Sequence, residues 1–181
     1  MKKLLTTAST ALLLAGLAAQ AQAADGTITF NGNVTAQSCT PTVVGGGAAN
    51  ATVTLPTVSA KSLASAGVTA GTTQFSIALS DCSAAATQAA TWFEAGSNVD
   101  PASGRLINTG TASKVDVALY NSTGTTPIAV GQGNGTLGSS GTAVPITNKT
   151  ATMNFNARYY ATGAATAGTV VASVNYTIQY Q

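Results

Sequence analysis

The chain contains no histidine, only two cysteines, one tryptophan, and 7% charged residues. Each scarcity excludes something. Without histidine there is no Ser-His or Cys-His dyad, and the commonest metal ligand is missing. The five acids, Asp25, Asp81, Glu94, Asp100 and Asp116, show no spacing that would bring two carboxylates together. They also fall short of a zinc or calcium ligand set. The expectation is therefore no enzyme, no metal and no cofactor. Soluble domains carry roughly 25% charged residues, so a chain this poor in charge leaves its sheet edges weakly guarded against pairing with other chains. Long apolar runs are lacking as well: after residue 23 nothing approaches the eighteen or so apolar positions of a membrane span. No segment after that point carries a helical stripe.

What is present begins with Met1-Lys2-Lys3, an apolar stretch from Leu4 to Ala19, and Ala21-Gln22-Ala23. A basic start, a short apolar core and an A-x-A ending read as a secretory signal peptide, residues 1–23, cleaved after Ala23. Removing 23 residues from 181 leaves 158, enough for one domain with a real core. The signal carries two of the cations. The exported part balances Lys61, Arg105, Lys114, Lys149 and Arg158 against the five acids, so its net charge is about zero. That balance offers no footprint for nucleic acid. Cys39 and Cys82 are both bound for an oxidising compartment, and one intramolecular disulfide is the natural reading. They lack the C-x-x-C spacing of a redox pair.

Period-two alternation rich in Val, Ile, Thr, Phe and Tyr, bounded by Gly, Asn, Ser and Pro, predicts strands. The candidates are 27–36, 52–58, 74–81, 89–94, 105–108, 114–121, 127–130, 151–161 and 169–180, with glycine-rich loops at 45–47, 131–135 and 138–141. Many short strands between turn signals mean an all-β sandwich or barrel. Both ends alternate most regularly. Ile28, Phe30, Gly32, Val34 and Ala36 share one face; so do Val170, Ala172, Val174, Tyr176, Ile178 and Tyr180. Periodicity alone leaves two readings open: first and last strands of a closed sandwich, or strands that pair with another chain.

Gly26-Thr-Ile-Thr-Phe-Asn-Gly-Asn-Val34 leads into Cys39. Further along come Phe75-Ser-Ile-Ala-Leu-Ser-Asp-Cys82, Gly104-Arg-Leu-Ile-Asn108, Ala157-Arg-Tyr-Tyr-Ala-Thr-Gly163 and the terminal Tyr-Thr-Ile-Gln-Tyr-Gln181. As an ordered set over nearly the whole exported chain, they resemble the type 1 fimbrial major-subunit family of chaperone-usher pilins. The resemblance implies an incomplete immunoglobulin-like β-sandwich that lacks its seventh strand and is completed by donor-strand complementation. It divides the exported chain into a donor-strand extension, residues 24–36, and a pilin domain, residues 37–181. Ile28, Phe30 and Val34 would enter pockets, and Gly32 would sit where the groove is too shallow for a side chain. The acceptor groove and chaperone-binding strand would be Val170, Ala172, Val174, Tyr176, Ile178 and Tyr180. The disulfide Cys39–Cys82 would link the first two body strands. The single Trp92 follows the second cysteine, unlike the antibody pattern, in which tryptophan lies between the two.

The implied partners are a periplasmic pilus chaperone, an outer-membrane usher, and neighbouring copies of the chain or other pilins. The implied place is a fimbrium on the bacterial surface, reached through the periplasm, where it supports adhesion and biofilm formation. A host receptor is left unnamed. The rival function is a secreted carbohydrate-binding sandwich with Trp92, Tyr120, Tyr159 and Tyr160 as platforms, or a minor adaptor or adhesive fimbrial subunit. Two motif matches carry no weight. Gly131-Gln-Gly133-Asn-Gly135 opens no helix and precedes no lysine, and the Asn-x-Thr matches at Asn50, Asn121 and Asn148 are of a kind that arises by chance.

Overall fold

The computed structural model describes residues 28–29, 39–44, 47–132 and 143–181. The chain divides into two compact units, Met1–Val34 and Thr35–Gln181, and the fold below is that of the second. Of the first unit only Ile28 and Thr29 are described, and the Ile28 side chain is exposed. The predicted signal peptide and the remaining residues of the 24–36 extension lie outside the described residues.

Seven strands are described: β1 (Thr40–Val43), β2 (Thr69–Ser80), β3 (Gln88–Phe93), β4 (Val115–Asn121), β5 (Val144–Pro145), β6 (Ala151–Ala161) and β7 (Tyr176–Tyr180). They form two antiparallel sheets, one in the order β1-β2-β6-β4 and one in the order β5-β3-β7. A single 3-10 turn, Ala60–Leu63, capped by the Ser59 hydroxyl, is the only helical element among the described residues. The architecture is the all-β sandwich expected from the alternation.

The core lies between the sheets because each strand turns its apolar face inward. Ile77 and Leu79 of β2, Met153 and Phe155 of β6, Val117 and Leu119 of β4, and Ala89 and Phe93 of β3 are all buried. Each large side chain contributes roughly 1.5–3 kcal/mol by leaving water. Phe155 is the hub: it meets Phe93 edge-on, with ring centroids 5.1 Å apart, and lies tilted against Phe75 at 5.5 Å. The one buried threonine of β3, Thr91, satisfies its hydroxyl by donating to the Met153 Sδ at 3.1 Å. A second, smaller cluster of Leu63, Val115 and Ala161 closes one end.

Local chemistry explains several joints. Asn148 and Lys149 both have positive φ, 51° and 60°, and Thr147 and Thr150 exchange two main-chain bonds of 2.9 and 3.0 Å. This is the tight two-residue turn whose twist suits a hairpin, and it feeds directly into β6. At Gly71, φ is 65° and an added Cβ would come 2.8 Å from the Tyr159 ring. The β2–β6 register shifts there, between Ala70 and Thr73. Glycine allows this bulge where a side chain could not fit.

Several predicted strands change. The 151–161 segment is a strand over the whole predicted range, and 89–94 and 114–121 are each strands within a residue. The 74–81 strand starts earlier, at Thr69. Segments 105–108 and 127–130 shrink to isolated bridges, Leu106 to Val99 and Val117, and Pro127 to Tyr120; they are too short to sustain a ladder. The 52–58 segment joins no ladder among the described residues. The 169–180 segment is a regular strand only over Tyr176–Tyr180. Alternation reports which face is buried, whereas a strand also needs a neighbour to bond.

Candidate functional site

β1 ends one sheet and β7 ends the other, and between these edges runs an apolar groove of about 1030 Å³. One wall is Cys39, Pro41, Val43 and residues 49–55; the other is residues 170–176 with Ile178 and Tyr180. The floor includes Phe75, Ile77, Phe93, Val117, Leu119, Ala157 and Tyr159. The floor residues belong to strands of both sheets, so the groove is the core itself seen from the side where the sandwich is open.

The second wall is built by sequence alternation. From Val170 to Ile178 every even residue is half-buried and every odd residue is exposed. All six residues assigned from the sequence to the acceptor strand, Val170, Ala172, Val174, Tyr176, Ile178 and Tyr180, line the groove and pack on the main core while remaining partly open to water. The odd residues on either side of β7 bond toward the β3 strand: Asn175 C=O accepts from the Glu94 N–H at 2.9 Å, and Gln181 exchanges bonds with Gln88. By the alternation of an antiparallel ladder, the N–H and C=O of Tyr176, Ile178 and Tyr180 therefore point to the open side.

The stretch before β7 is held in line by a polar clamp. Thr109 N–H donates to Val171 C=O at 2.8 Å, Ala112 N–H to Thr169 C=O at 3.0 Å, and Val171 N–H to the Asn108 Oδ1 at 2.9 Å. The segments come so close that a Cβ on Gly110 would stand 2.2 Å from the Thr169 carbonyl oxygen. Glycine is required by that approach.

The first wall was the part that sequence reasoning missed. β1 is a four-residue strand of sequence Thr-Pro-Thr-Val with no alternating signature. The Cys39–Cys82 disulfide anchors its start to the end of β2, so it links the first two body strands. Residues 49–55 continue this wall, with Val53 and Leu55 half-buried. Two tyrosines of β7 reach across: the Cys39 N–H donates to the Tyr180 hydroxyl at 3.1 Å, and the Tyr176 hydroxyl donates to the Ala49 carbonyl at 2.8 Å. Burial pushes the Tyr176 phenol above its ordinary range.

The sugar platforms fare differently. Tyr120 is buried under the Arg158 guanidinium, 4.2 Å from its ring centroid, and Arg105 stacks at 4.3 Å over Tyr160 while pairing with Asp116 at 3.1 Å. Tyr159 lines the groove, and Trp92 is half-buried on β3. They form no shared platform. Among the described residues no group of three acids, cysteines or histidines could hold a metal ion, and no helix is long and apolar enough to cross a membrane.

The family model for type-1 fimbrial protein A matches residues 55–181, which include β2 to β7. The chain belongs to the type-1 fimbrial protein family. It is a structural subunit of a fimbrium at the cell surface. An F17 fimbrial protein of Escherichia coli is 43% identical over 176 residues, covering 94% of this chain and 95% of that protein. The major fimbrial subunit SMF-1 of Stenotrophomonas maltophilia (strain K279a) is 46% identical over 173 residues, covering 93% and 99%. Among solved structures, the P pilus rod subunit PapA superposes with a TM-score of 0.58 at 16% identity, covering 78% of this chain and 99% of that one, a likeness of fold. The immunoglobulin-like pilin sandwich is the fold of this fimbrial subunit.

Proposed function

We propose that this fimbrial subunit polymerises by strand donation: residues 24–36 of one copy enter the groove of the next, with Ile28, Phe30 and Val34 in pockets and Gly32 over the shallowest point. The observation that carries the reading is the groove, an apolar core left open between two strand edges. An open edge is ordinarily an aggregation hazard; here it is the binding site. Strand addition combines main-chain bonds for affinity with alternate side-chain pockets for specificity, and chaperone–pilin complementation is itself a recognised instance of it. Three buried apolar side chains at about 25 cal/mol per Å² contribute several kcal/mol before ordering costs. Donor and groove lie on different parts of one chain, so the contact runs head to tail and need not close, which gives a fibre rather than a dimer.

The same groove makes the unpolymerised subunit dependent on a substitute strand. A periplasmic chaperone supplies it first, bound along Val170 to Tyr180, and an outer-membrane usher presides over the exchange. Residues 1–23 are the export signal. The subunit's role is structural, without catalysis. Deleting residues 24–36 tests the reading: the variant should accumulate as a chaperone-bound monomer and end fibre growth, and long homopolymers of the deletion variant seen by electron microscopy would refute it.

A further inference from the structure

Asn108 ends the Gly104-Arg-Leu-Ile-Asn108 motif and stands behind the acceptor segment, on the side away from the groove. Its half-buried side chain makes three bonds, all to main chain. The Oδ1 accepts from the Gly110 N–H at 2.8 Å and from the Val171 N–H at 2.9 Å, and the Nδ2 donates to the Ala112 C=O at 2.8 Å. Main-chain partners have fixed polarity, so one orientation of the carboxamide satisfies all three. Two of the bonds are local and shape the turn at residues 108–112. The third reaches 63 residues along the chain. A turn has no need of it.

β3 ends at Phe93, opposite Tyr176, and just beyond it the Glu94 N–H makes the last bond of that ladder, to the Asn175 C=O. Residues 169–174 run on with no strand behind them among the described residues. Their odd-numbered residues nonetheless bond on the same side as those that serve β3. Val171 C=O accepts from the Thr109 N–H at 2.8 Å, Thr169 C=O from the Ala112 N–H at 3.0 Å, and the Ser173 hydroxyl from the Asn98 Nδ2 at 2.8 Å. All of these donors lie within residues 98–112, and the Ile107 N–H ties that segment together by donating to the Asn98 C=O at 2.9 Å. With the odd groups turned back, the N–H and C=O of Val170, Ala172 and Val174 face the groove, as do those of Tyr176, Ile178 and Tyr180.

We infer that Asn108 is a positioning residue that lengthens the acceptor strand beyond the end of β3, so that an incoming strand can bond to residues 170–174 as well as to β7. The inference rests on the strand-donation reading and deepens it. Asn108 acts from behind, so it holds the segment whichever strand lies in front, the chaperone's first and the donor's afterwards. One strand can leave and the next enter without the acceptor coming loose. The proposed donor, residues 24–36, matches the lengthened acceptor, residues 169–180, and is more than twice as long as the five residues of β7. Strand addition draws its affinity from main-chain bonds, and each bond forfeited where the acceptor is not held in line weakens the complex by about five-fold.

The test offers the full mature chain, bound to its chaperone, an excess of a synthetic peptide of residues 24–36, and reads amide exchange residue by residue in the resulting complex. Asn108→Leu keeps the size of the side chain and removes all three bonds. In this variant the protection of the Ala172 and Val174 amides by the peptide should fall at least about ten-fold, while Tyr176, Ile178 and Tyr180 keep theirs. Asn108→Asp retains both acceptor bonds and should keep most of the protection at Ala172 and Val174. Protection in Asn108→Leu that is lost evenly from Ala172 to Tyr180, or unchanged at Ala172 and Val174, would overturn the role of Asn108 and leave strand donation standing. A loss in Asn108→Asp equal to that in Asn108→Leu would do the same. A peptide that protects none of these amides in the unmodified chain would overturn both. If Asn108→Leu is not recovered, Asn108→Ser, whose shorter side chain gives up the Val171 bond, carries the same comparison.

Discussion

Cys39, Tyr176 and Tyr180 concentrate much of what single residues do in this subunit. Breaking the disulfide by Cys39→Ser frees a 43-residue loop, which costs on the order of 2–5 kcal/mol. It also releases the anchored end of β1, so the urea midpoint of the chaperone-free fibre should fall sharply. Tyr180→Ala removes both ring and hydroxyl from the strand proposed to bind the chaperone. We expect a lower periplasmic yield of chaperone-bound subunit on co-purification; a normal yield would mean that this strand is satisfied internally. The Tyr176 phenol is raised by burial above its ordinary value of 10.0. Its stabilising contribution is complete below 10.0 and is lost as pH rises through the higher value in the fold. A denaturation midpoint followed into strongly alkaline solution should fall over that window, and less so in Tyr176→Phe. Under strand donation, Gly32→Leu should slow polymerisation, since a side chain there would meet the shallowest part of the groove. Unchanged kinetics would refute that placement.

At the scale of elements, the C-terminal segment was the most legible. Its alternation put Val170, Ala172, Val174, Tyr176, Ile178 and Tyr180 on one face, because a half-buried strand writes its two faces directly into the sequence, and all six line the groove. β6 was equally clear. The opposite wall was not. β1 is four residues long and its Pro41 breaks the pattern, so nothing in Thr40–Val43 distinguishes it from the loop that follows. Residues 52–58 do alternate, yet they form no ladder among the described residues, since alternation records burial and not the presence of a partner. That segment is where a donor should have its second effect. Val53→Asp with Leu55→Asp places charges on the groove wall, and peptide uptake should be lost while β2, β4 and β6 keep their amide protection. Loss of protection throughout would mean instead that 51–58 is part of the core.

For the whole molecule, low charge and a core left open between two sheet edges describe a fold that water tolerates poorly, and strand donation by a neighbour is the completion proposed above. Phe155 packs between Phe75 and Phe93 in the interior, and the groove is lined in large part by apolar residues of that same core. The most direct measurement is disulfide trapping in assembled fibres, with cysteines replacing Phe30 and Ile178 in the same chain. Strand donation predicts covalent links between successive subunits, seen as a ladder on a non-reducing gel that collapses on reduction. Links formed only within single chains, giving a monomer whose leading segment fills its own groove, would contradict it.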